Sequence, residues 1–312
     1  MKTALVIGAA GFIGGYLCQR LKDEMAVVCV DNLTNGSATR FQLLNPDLDL
    51  VNKDIRQVNG DELPKLDYIF DLAYINGTRQ FYTRGADILK VANSNLLSSL
   101  LLAERFSAKL IYFSTPEVFG DTDILPTPEN APFRIPDITN PRWSYSIGKI
   151  YGESLLHNTY ISKPSLKYNI VRPNNAYGPY DRYHVIPDLL HRLKSGVRHL
   201  EVKGDRKATR SYCFIHDMVK QIIAVAKTAP NGETYNLGNA CETSLEELAN
   251  LLVHVSDSDA ELSFSDAPQG SPLRRIPCTK KIDNICNIPK TSITDGLSIL
   301  AKVENYDPYT EF

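Results

Sequence analysis

Short, continuous apolar runs alternate with amphipathic stretches through the first half of the chain. Thr3 to Gly8, Ala26 to Asp31, Asp67 to Ala73 and Lys109 to Ser114 read as strands. They lack the strict polar alternation of a half-exposed strand, so they are expected to be buried on both faces. After the first run, Ile13, Leu17 and Leu21 fall four apart on one helical face, and Asn95 to Phe106 reads as a further helix. Tyr168 to Arg172 and Thr234 to Leu237 add two later strands. Strands alternating with helices predict βαβ units and a parallel sheet.

The pattern changes after about residue 173. Pro and Gly become frequent, and helices near Ile186 to Lys194 and Leu245 to Val255 stand between long irregular stretches. Thr243 with Glu246 has the spacing of a capping box for the second of these. Pro268 to Pro277 reads as an exposed loop. The chain therefore divides into a nucleotide-binding domain, residues 1–172 with 215–240 returning to it, and a smaller discontinuous α/β lobe, residues 173–214 and 241–312.

Composition narrows the function classes. The 312 residues are 43% hydrophobic and 22% charged, with 18 Gly and 18 Pro, which excludes a disordered or collagenous chain. Lys plus Arg is 34 against 36 Asp plus Glu, so no basic excess marks a nucleic-acid binder. Apolar runs such as Ala26 to Val30 and Leu100 to Ala103 are far shorter than the ~20 residues of a membrane span. The start of the chain carries no signal-peptide pattern. The six cysteines are scattered without a Cys-x-x-Cys pair, which argues against zinc and dithiol chemistry. A reducing cytoplasm is the expected compartment.

Gly8-Ala-Ala-Gly11-Phe12-Ile13-Gly14 lies between the first strand and the first helix. Gly8 permits a tight turn, Gly11 lets backbone approach a pyrophosphate, and Gly14 allows close helix–strand packing. The helix start at Phe12 and Ile13 offers free N–H groups and a positive dipole end. This placement predicts a Rossmann-type, doubly wound sheet that binds a dinucleotide. Asp31 ends the second strand, where an acid accepts hydrogen bonds from the adenosine ribose and repels a 2′-phosphate. Asn32-Leu33-Thr34 follows without an arginine, which favours NAD over NADP.

Tyr145-Ser-Ile-Gly-Lys149 sets a phenol and an ammonium on one helical face. A free Tyr, with pKa ~10, is a poor base, and a neighbouring ammonium favours its phenolate. With the glycine turn, these residues resemble the extended short-chain dehydrogenase/reductase family of NAD-dependent nucleotide-sugar epimerases, dehydratases and decarboxylases. The resemblance runs over nearly the whole chain. It implies that Asp54-Ile55 lies near the adenine and Leu72-Ala73 beside the cofactor. It implies that Thr115, in Ser114-Thr-Pro-Glu-Val-Phe-Gly120, hydrogen-bonds the reacting oxygen of the substrate. Asn175, in Arg172-Pro-Asn-Asn-Ala-Tyr-Gly-Pro179, would face the sugar nucleotide. Gly204-Asp205, Arg210 and Asp217 resemble the substrate-lobe segment, with Arg210 on the diphosphate, and Arg275 of the Arg274-Arg275 pair would reach substrate phosphate. Fixed guanidinium forks suit such a group. A homodimer is also implied, through the Tyr145 helix or the stripe Leu96, Leu97, Leu100 and Leu101, which is otherwise core.

The resemblance implies oxidation at C4, with Tyr145 taking the hydroxyl proton and NAD the hydride. The 4-keto sugar can then be re-reduced to an epimer, dehydrated, decarboxylated or released. The related dehydratases carry an Asp where Pro116 stands, so dehydration is disfavoured, while the decarboxylases often carry a Ser there. Glu117 is retained, either as a catalytic group or as a support for the local backbone. Pro141-Arg-Trp-Ser-Tyr-Ser146 resembles the uronate decarboxylases, and Asn76-Gly-Thr78 through Phe81-Tyr82 resembles a group that includes heptose-type dehydrogenases. A 4-epimerase is the simplest outcome. Decarboxylation, net dehydrogenation and an inactive NAD-binding protein are the alternatives, and the joint presence of Thr115, Tyr145 and Lys149 argues against the last. His157, His184 and His216 have no nucleophile or metal partner by spacing and read as packing or surface residues.

Overall fold

Alternation inside each strand decides which helices it meets. In β1 (Thr3–Ile7), Ala4 and Val6 join one apolar cluster while Leu5 and Ile7 join another. The split repeats in β4 (Tyr68–Asp71), with Phe70 against Ile69, and in β5 (Lys109–Phe113), with Ile111 against Leu110. A strand buried on both faces shows no polar alternation, which is why these segments read as continuous apolar runs. The computed structural model describes residues 1–182, 184–266 and 273–303, with the side chains of Thr78 and Arg79 outside that description.

β1, β4 and β5 join β2 (Ala26–Asp31), β3 (Leu50–Asn52), β6 (Lys167–Pro173) and β11 (Thr234–Leu237) in a seven-stranded sheet, order β11-β6-β5-β4-β1-β2-β3. Every pairing in it is parallel. Helices α1 (Phe12–Leu21), α2 (Ala38–Leu44) and α6 (Ile215–Thr228) share a core with one face. Helices α3 (Thr78–Phe106) and α4 (Ser144–Ser162) pack on the other face. This is the doubly wound arrangement expected of the sequence. Register sets the strand ends level: Ile7 lies opposite Val30 of β2 and Asp71 of β4, and Asp71 lies opposite Tyr112. The carboxyl ends of these strands therefore present the glycine turn, Asp31, Leu72-Ala73 and Ser114-Thr115 along one edge.

A third apolar cluster gathers Tyr177, Leu189, Leu193, Leu200, Leu252 and Leu297. It draws on α5 (Val185–Lys194), α7 (Leu245–Val255) and α9 (Ile293–Ala301). The short pairs β7–β10 (Ala176–Tyr177, Cys213–Phe214) and β8–β13 (His199–Lys203, Glu261–Ser265) lie here, with the three-stranded β12-β9-β14 (Glu242–Ser244, Thr209–Ser211, Arg274–Arg275). The following α8 (Lys280–Asp283) departs from the expected division, because Ile282 and Cys286 belong to the cluster on the large sheet.

Local expectations are sharpened at three places. Ser244, not Thr243, caps α7 by accepting from the Glu247 N–H, while Thr243 is buried in β12. In the expected loop Leu273 and Arg274 are exposed, but Arg274 and Arg275 form a strand and Ile276 and Pro277 are buried; residues 267–272 lie outside the described residues. The leucine stripe splits: Leu96 and Leu100 are core, while Leu97 and Leu101 face outward. No described helix is long and apolar enough to cross a membrane.

Candidate active site

The glycine turn is closed by its own crowding. Gly8 has φ of +87°, and a Cβ there would stand 3.0 Å from the Ala73 nitrogen. A Cβ on Gly14 would stand 2.1 Å from the Gly8 carbonyl oxygen. The turn hangs from β2 through Gly8 N–H and Ala9 N–H, both donating to the Val30 carbonyl. Gly11 stands at the start of α1 and offers no side-chain cap, so the N–H groups of Phe12 and Ile13 open onto the turn. These donors, with the positive end of the helix, suit a pyrophosphate.

Asp31 is buried, and both of its oxygens accept from backbone: Oδ2 from Ala10 at 3.0 Å and Oδ1 from Leu33 at 2.7 Å. Burial raises its carboxyl, while those donors and nearby Arg40 oppose the rise. The side chain thus locks the glycine turn to the end of β2 as well as standing where the ribose was expected. Asn32 donates to Asp54, which Arg56 grips with two nitrogens at 2.7 Å. Ile55 is core. Leu72 and Ala73 pack under Gly8.

Tyr145 stands in the first turn of α4. Its ring stacks on Phe81 at 5.2 Å and meets Tyr74 edge-on at 5.1 Å. Burial pushes its phenol well above the ordinary value; the Thr115 hydroxyl pulls it down and Glu117 pushes it up. Thr115 follows β5 and accepts from the Glu117 N–H at 3.2 Å. Lys149 lies one helical turn beyond Tyr145 on α4. Its ammonium donates to the Phe113 carbonyl at 2.5 Å and lies over the rings of Tyr74 and Tyr112, at 3.9 and 4.8 Å. Burial draws its pKa down to about 7, against the pull of Asp71 and Glu153.

Glu117 sits in a ring of guanidinium groups. Arg275 donates to it at 2.5 Å and Arg142 lies 3.8 Å away. Burial alone would raise its carboxyl, but Arg275, Arg142 and Arg210 outweigh burial and hold it ionised. Arg210 is set on β9, opposite Arg275 in register, and donates to the Thr209 and Leu273 carbonyls. Burial and the charge of Arg275 lower its pKa. Arg275 therefore spends part of its fork on Glu117 rather than standing free for phosphate. Asn175, at φ of 28°, donates to the Ser211 carbonyl and ties its loop to β9. Asp217 accepts from the Thr291 N–H, a structural role.

Sequence reasoning gave no role to Arg142, Asp71 or Tyr74. Arg142 lies in a 3₁₀ turn, Pro141–Trp143, that leads into α4, and its Nε is buried without a hydrogen-bond partner. Its position three residues before Tyr145 was the available signal. Glu153, one helical turn beyond Lys149, is taken by Arg172 in a two-pronged pair at 2.9 and 2.6 Å and by Ser114 at 2.5 Å. The histidines serve packing and ion pairs: His157 meets the Tyr168 hydroxyl, His184 meets Asp181, and His216 lies against Tyr16 and Phe214. Among the described residues no cluster of His, Cys, Asp and Glu could hold a metal, and all six cysteines are free thiols.

A glycine turn at the edge of a doubly wound sheet, beside a Thr–Tyr–Lys set, defines a dinucleotide-using site of the extended short-chain dehydrogenase/reductase class. Residues 4–238 match the NAD dependent epimerase/dehydratase family, and the chain belongs to it. NAD is its cofactor. The chain is 28% identical over 288 residues to UDP-glucuronic acid decarboxylase 1 of Xenopus tropicalis, covering 90% of this chain and 66% of the frog protein's length. It is 29% identical over 310 residues to UDP-N-acetyl-alpha-D-glucosaminuronate decarboxylase of Bacillus cytotoxicus, covering 95% of each. The UDP-glucose 4-epimerase of Thermotoga maritima, solved with UDP-glucose, superposes with a TM-score of 0.86 at 25% identity, covering 96% of this chain and 97% of the other.

Proposed function

We propose that this enzyme oxidises C4 of a nucleotide-linked uronic acid and releases the C5 carboxylate as carbon dioxide. The observation that carries the proposal is the surplus of positive charge at Glu117. Three arginines act on one carboxylate in a partly buried space, and the Arg142 Nε is left without a partner. Such a surplus suits a ligand bearing both a diphosphate and a further anionic group near the reacting carbon. Both decarboxylase relatives act on uronates by name, which supports the reading.

When bound, NAD supplies the hydride acceptor, and the glycine turn, the start of α1, Asp31, Asn32, Asp54 and Leu72-Ala73 would hold it. Thr115 and Tyr145 bind the C4 hydroxyl, and Tyr145 takes its proton as the phenolate that the Lys149 ammonium favours. In the resulting 4-keto acid the bond from C5 to the carboxylate breaks, and its electrons move to the C4 oxygen as an enolate. The Tyr145 phenol returns its proton to that oxygen, and the enol takes a proton from water at C5 to give a 4-keto sugar one carbon shorter, whose C4 would take the hydride back when the cofactor is bound. Glu117, held ionised, does not protonate a leaving hydroxyl at neutral pH, so it orients Arg275 and Arg142 toward the substrate.

A 4-epimerase is the second reading, favoured by Pro116, which offers neither hydroxyl nor acid beside Thr115. The two separate in one experiment. The protein is incubated with NAD and a panel of nucleotide-linked uronates and neutral sugars, and carbon dioxide and sugar NMR are followed. Carbon dioxide from an acidic sugar supports decarboxylation. Inversion of a neutral sugar with no gas from any uronate replaces it with the epimerase. The same proposal includes a homodimer through α3 and α4, whose Leu97, Leu101 and Tyr151 are exposed. Light scattering on the purified protein tests it.

A further inference from the structure

The floor of the site holds a carboxylate that the reaction scheme does not use. Asp71 ends β4, is almost wholly buried, and its Oδ2 has no hydrogen-bond partner. A buried ion without a full set of partners is costly, so its retention calls for a compensating charge. The register puts it beside Tyr112. The Lys149 ammonium lies over that same Tyr112 ring and over the Tyr74 ring, and Tyr74 in turn contacts Tyr145.

We propose that Asp71 is a positioning residue that supplies the counter-charge of Lys149 and keeps this lysine an ammonium beneath Tyr145. The proposal rests on reading Tyr145 and Lys149 as the acid/base pair, but not on the identity of the sugar. The other groups around Lys149 cannot serve in the same way. Glu153, on α4, is already committed to Arg172 of β6 and to Ser114. Tyr112, of β5, and Tyr74 are pushed up by burial and stay neutral phenols. The Phe113 carbonyl is neutral. On α3, Ser99 acts on Asp71 and Asn95 donates to the Ala73 carbonyl. Burial raises the Asp71 carboxyl and lowers the Lys149 ammonium, and each charge favours the other.

Two glycines make room for this arrangement. A Cβ at Gly148 would stand 2.1 Å from the Tyr74 hydroxyl oxygen, and one at Gly152 2.3 Å from that of Tyr112. The helix that carries Lys149 is thus bare where the two phenol rings close over the ammonium.

The test uses the holoenzyme with ¹³Cε-labelled lysine, and Lys149→Met assigns the signal. In Asp71→Asn, a near-isosteric change, the Lys149 midpoint is expected to fall by about one pH unit or more. Tyr74→Phe, which keeps the ring, should leave the midpoint unchanged. A Lys149 midpoint in Asp71→Asn equal to wild type overturns the proposal, whatever happens to stability. Should Asp71→Asn not fold, infrared spectra of Lys149→Met supply the reciprocal reading. Loss of the ammonium should bring in a protonated-carboxyl band at neutral pH that wild type lacks, and spectra without that gain overturn the proposal equally. Neither readout needs a turning-over sugar, so failure here is distinct from failure of the decarboxylase reading.

Discussion

Arg275 donates to Glu117 at 2.5 Å, joining residues 158 positions apart in the chain. The pair fixes strand β14 against the turn that follows β5, so the residues around Thr115 are held partly by a strand distant in the sequence. The pair is partly buried, and Arg142 still faces Glu117 from the turn before α4.

Tyr145→Phe is expected to lose ~10²–10⁴-fold in turnover, the usual contribution of a positioned acid/base group. NAD binding should persist, because the glycine turn is untouched. Product NMR with a cofactor-binding titration checks both halves, and near-wild-type turnover would sink the mechanism.

Arg142→Ala should raise KM for an acidic sugar nucleotide about tenfold or more, with little change for a neutral one, since a charge-assisted hydrogen bond contributes ~1.5–3 kcal/mol. Steady-state kinetics on a uronate and its neutral counterpart provides the comparison. Equal effects on the two would assign Arg142 to the diphosphate or to the fold.

Gly14→Ala should abolish NAD binding and destabilise the protein by a few kcal/mol. Its Cβ would fall 2.1 Å from a backbone oxygen that has no side-chain freedom to retreat. Thermal melts with and without NAD measure both effects. A cofactor-dependent rise in Tm equal to wild type would contradict the crowding argument.

Lys149→Met should change how the stability of the apoprotein depends on pH. Lys149 is drawn from 10.5 to about 7 by burial, so between these values the unfolded chain binds a proton that the folded chain does not. Stability from this group therefore rises with pH across that window, and the penalty is full below pH 7. The Tm of wild type relative to Lys149→Met should therefore rise between pH 7 and 10.5 and level off outside that window. A difference that does not vary with pH would show that Lys149 is not the titrating group.

Much of the scaffold was readable along the chain because its strands are buried on both faces. Ala4 and Val6 meet one layer of helices and Leu5 and Ile7 the other, which leaves no polar residue to interrupt the run. The glycine turn was readable for a related reason: Gly8 holds a positive φ, a Cβ on Gly14 would collide with backbone, and one on Gly11 would be tight against the Gly8 carbonyl. The cap of α7 was misplaced by one residue because Thr243-Ser244 and Glu246-Glu247 offer two frames with identical spacing, and strand pairing of Thr243 decides between them. Arg142 and Asp71 were not legible as site residues. Their meaning comes from what stands opposite them, Glu117 and Lys149, and no periodicity encodes that meeting. The placement of Lys149 was half legible: its helix face was evident, but not the two rings that enclose its charge.

The strand β14 also sets a timetable. On the ribosome the large sheet has all seven of its strands once Leu237 has emerged, and domains fold largely from the N-terminus during synthesis. Arg275 arrives later and pairs through β14 with Arg210 on β9. A nascent chain can thus hold all seven strands of the sheet while Glu117 still awaits Arg275, and Ile282 and Cys286 join the core of that sheet later still.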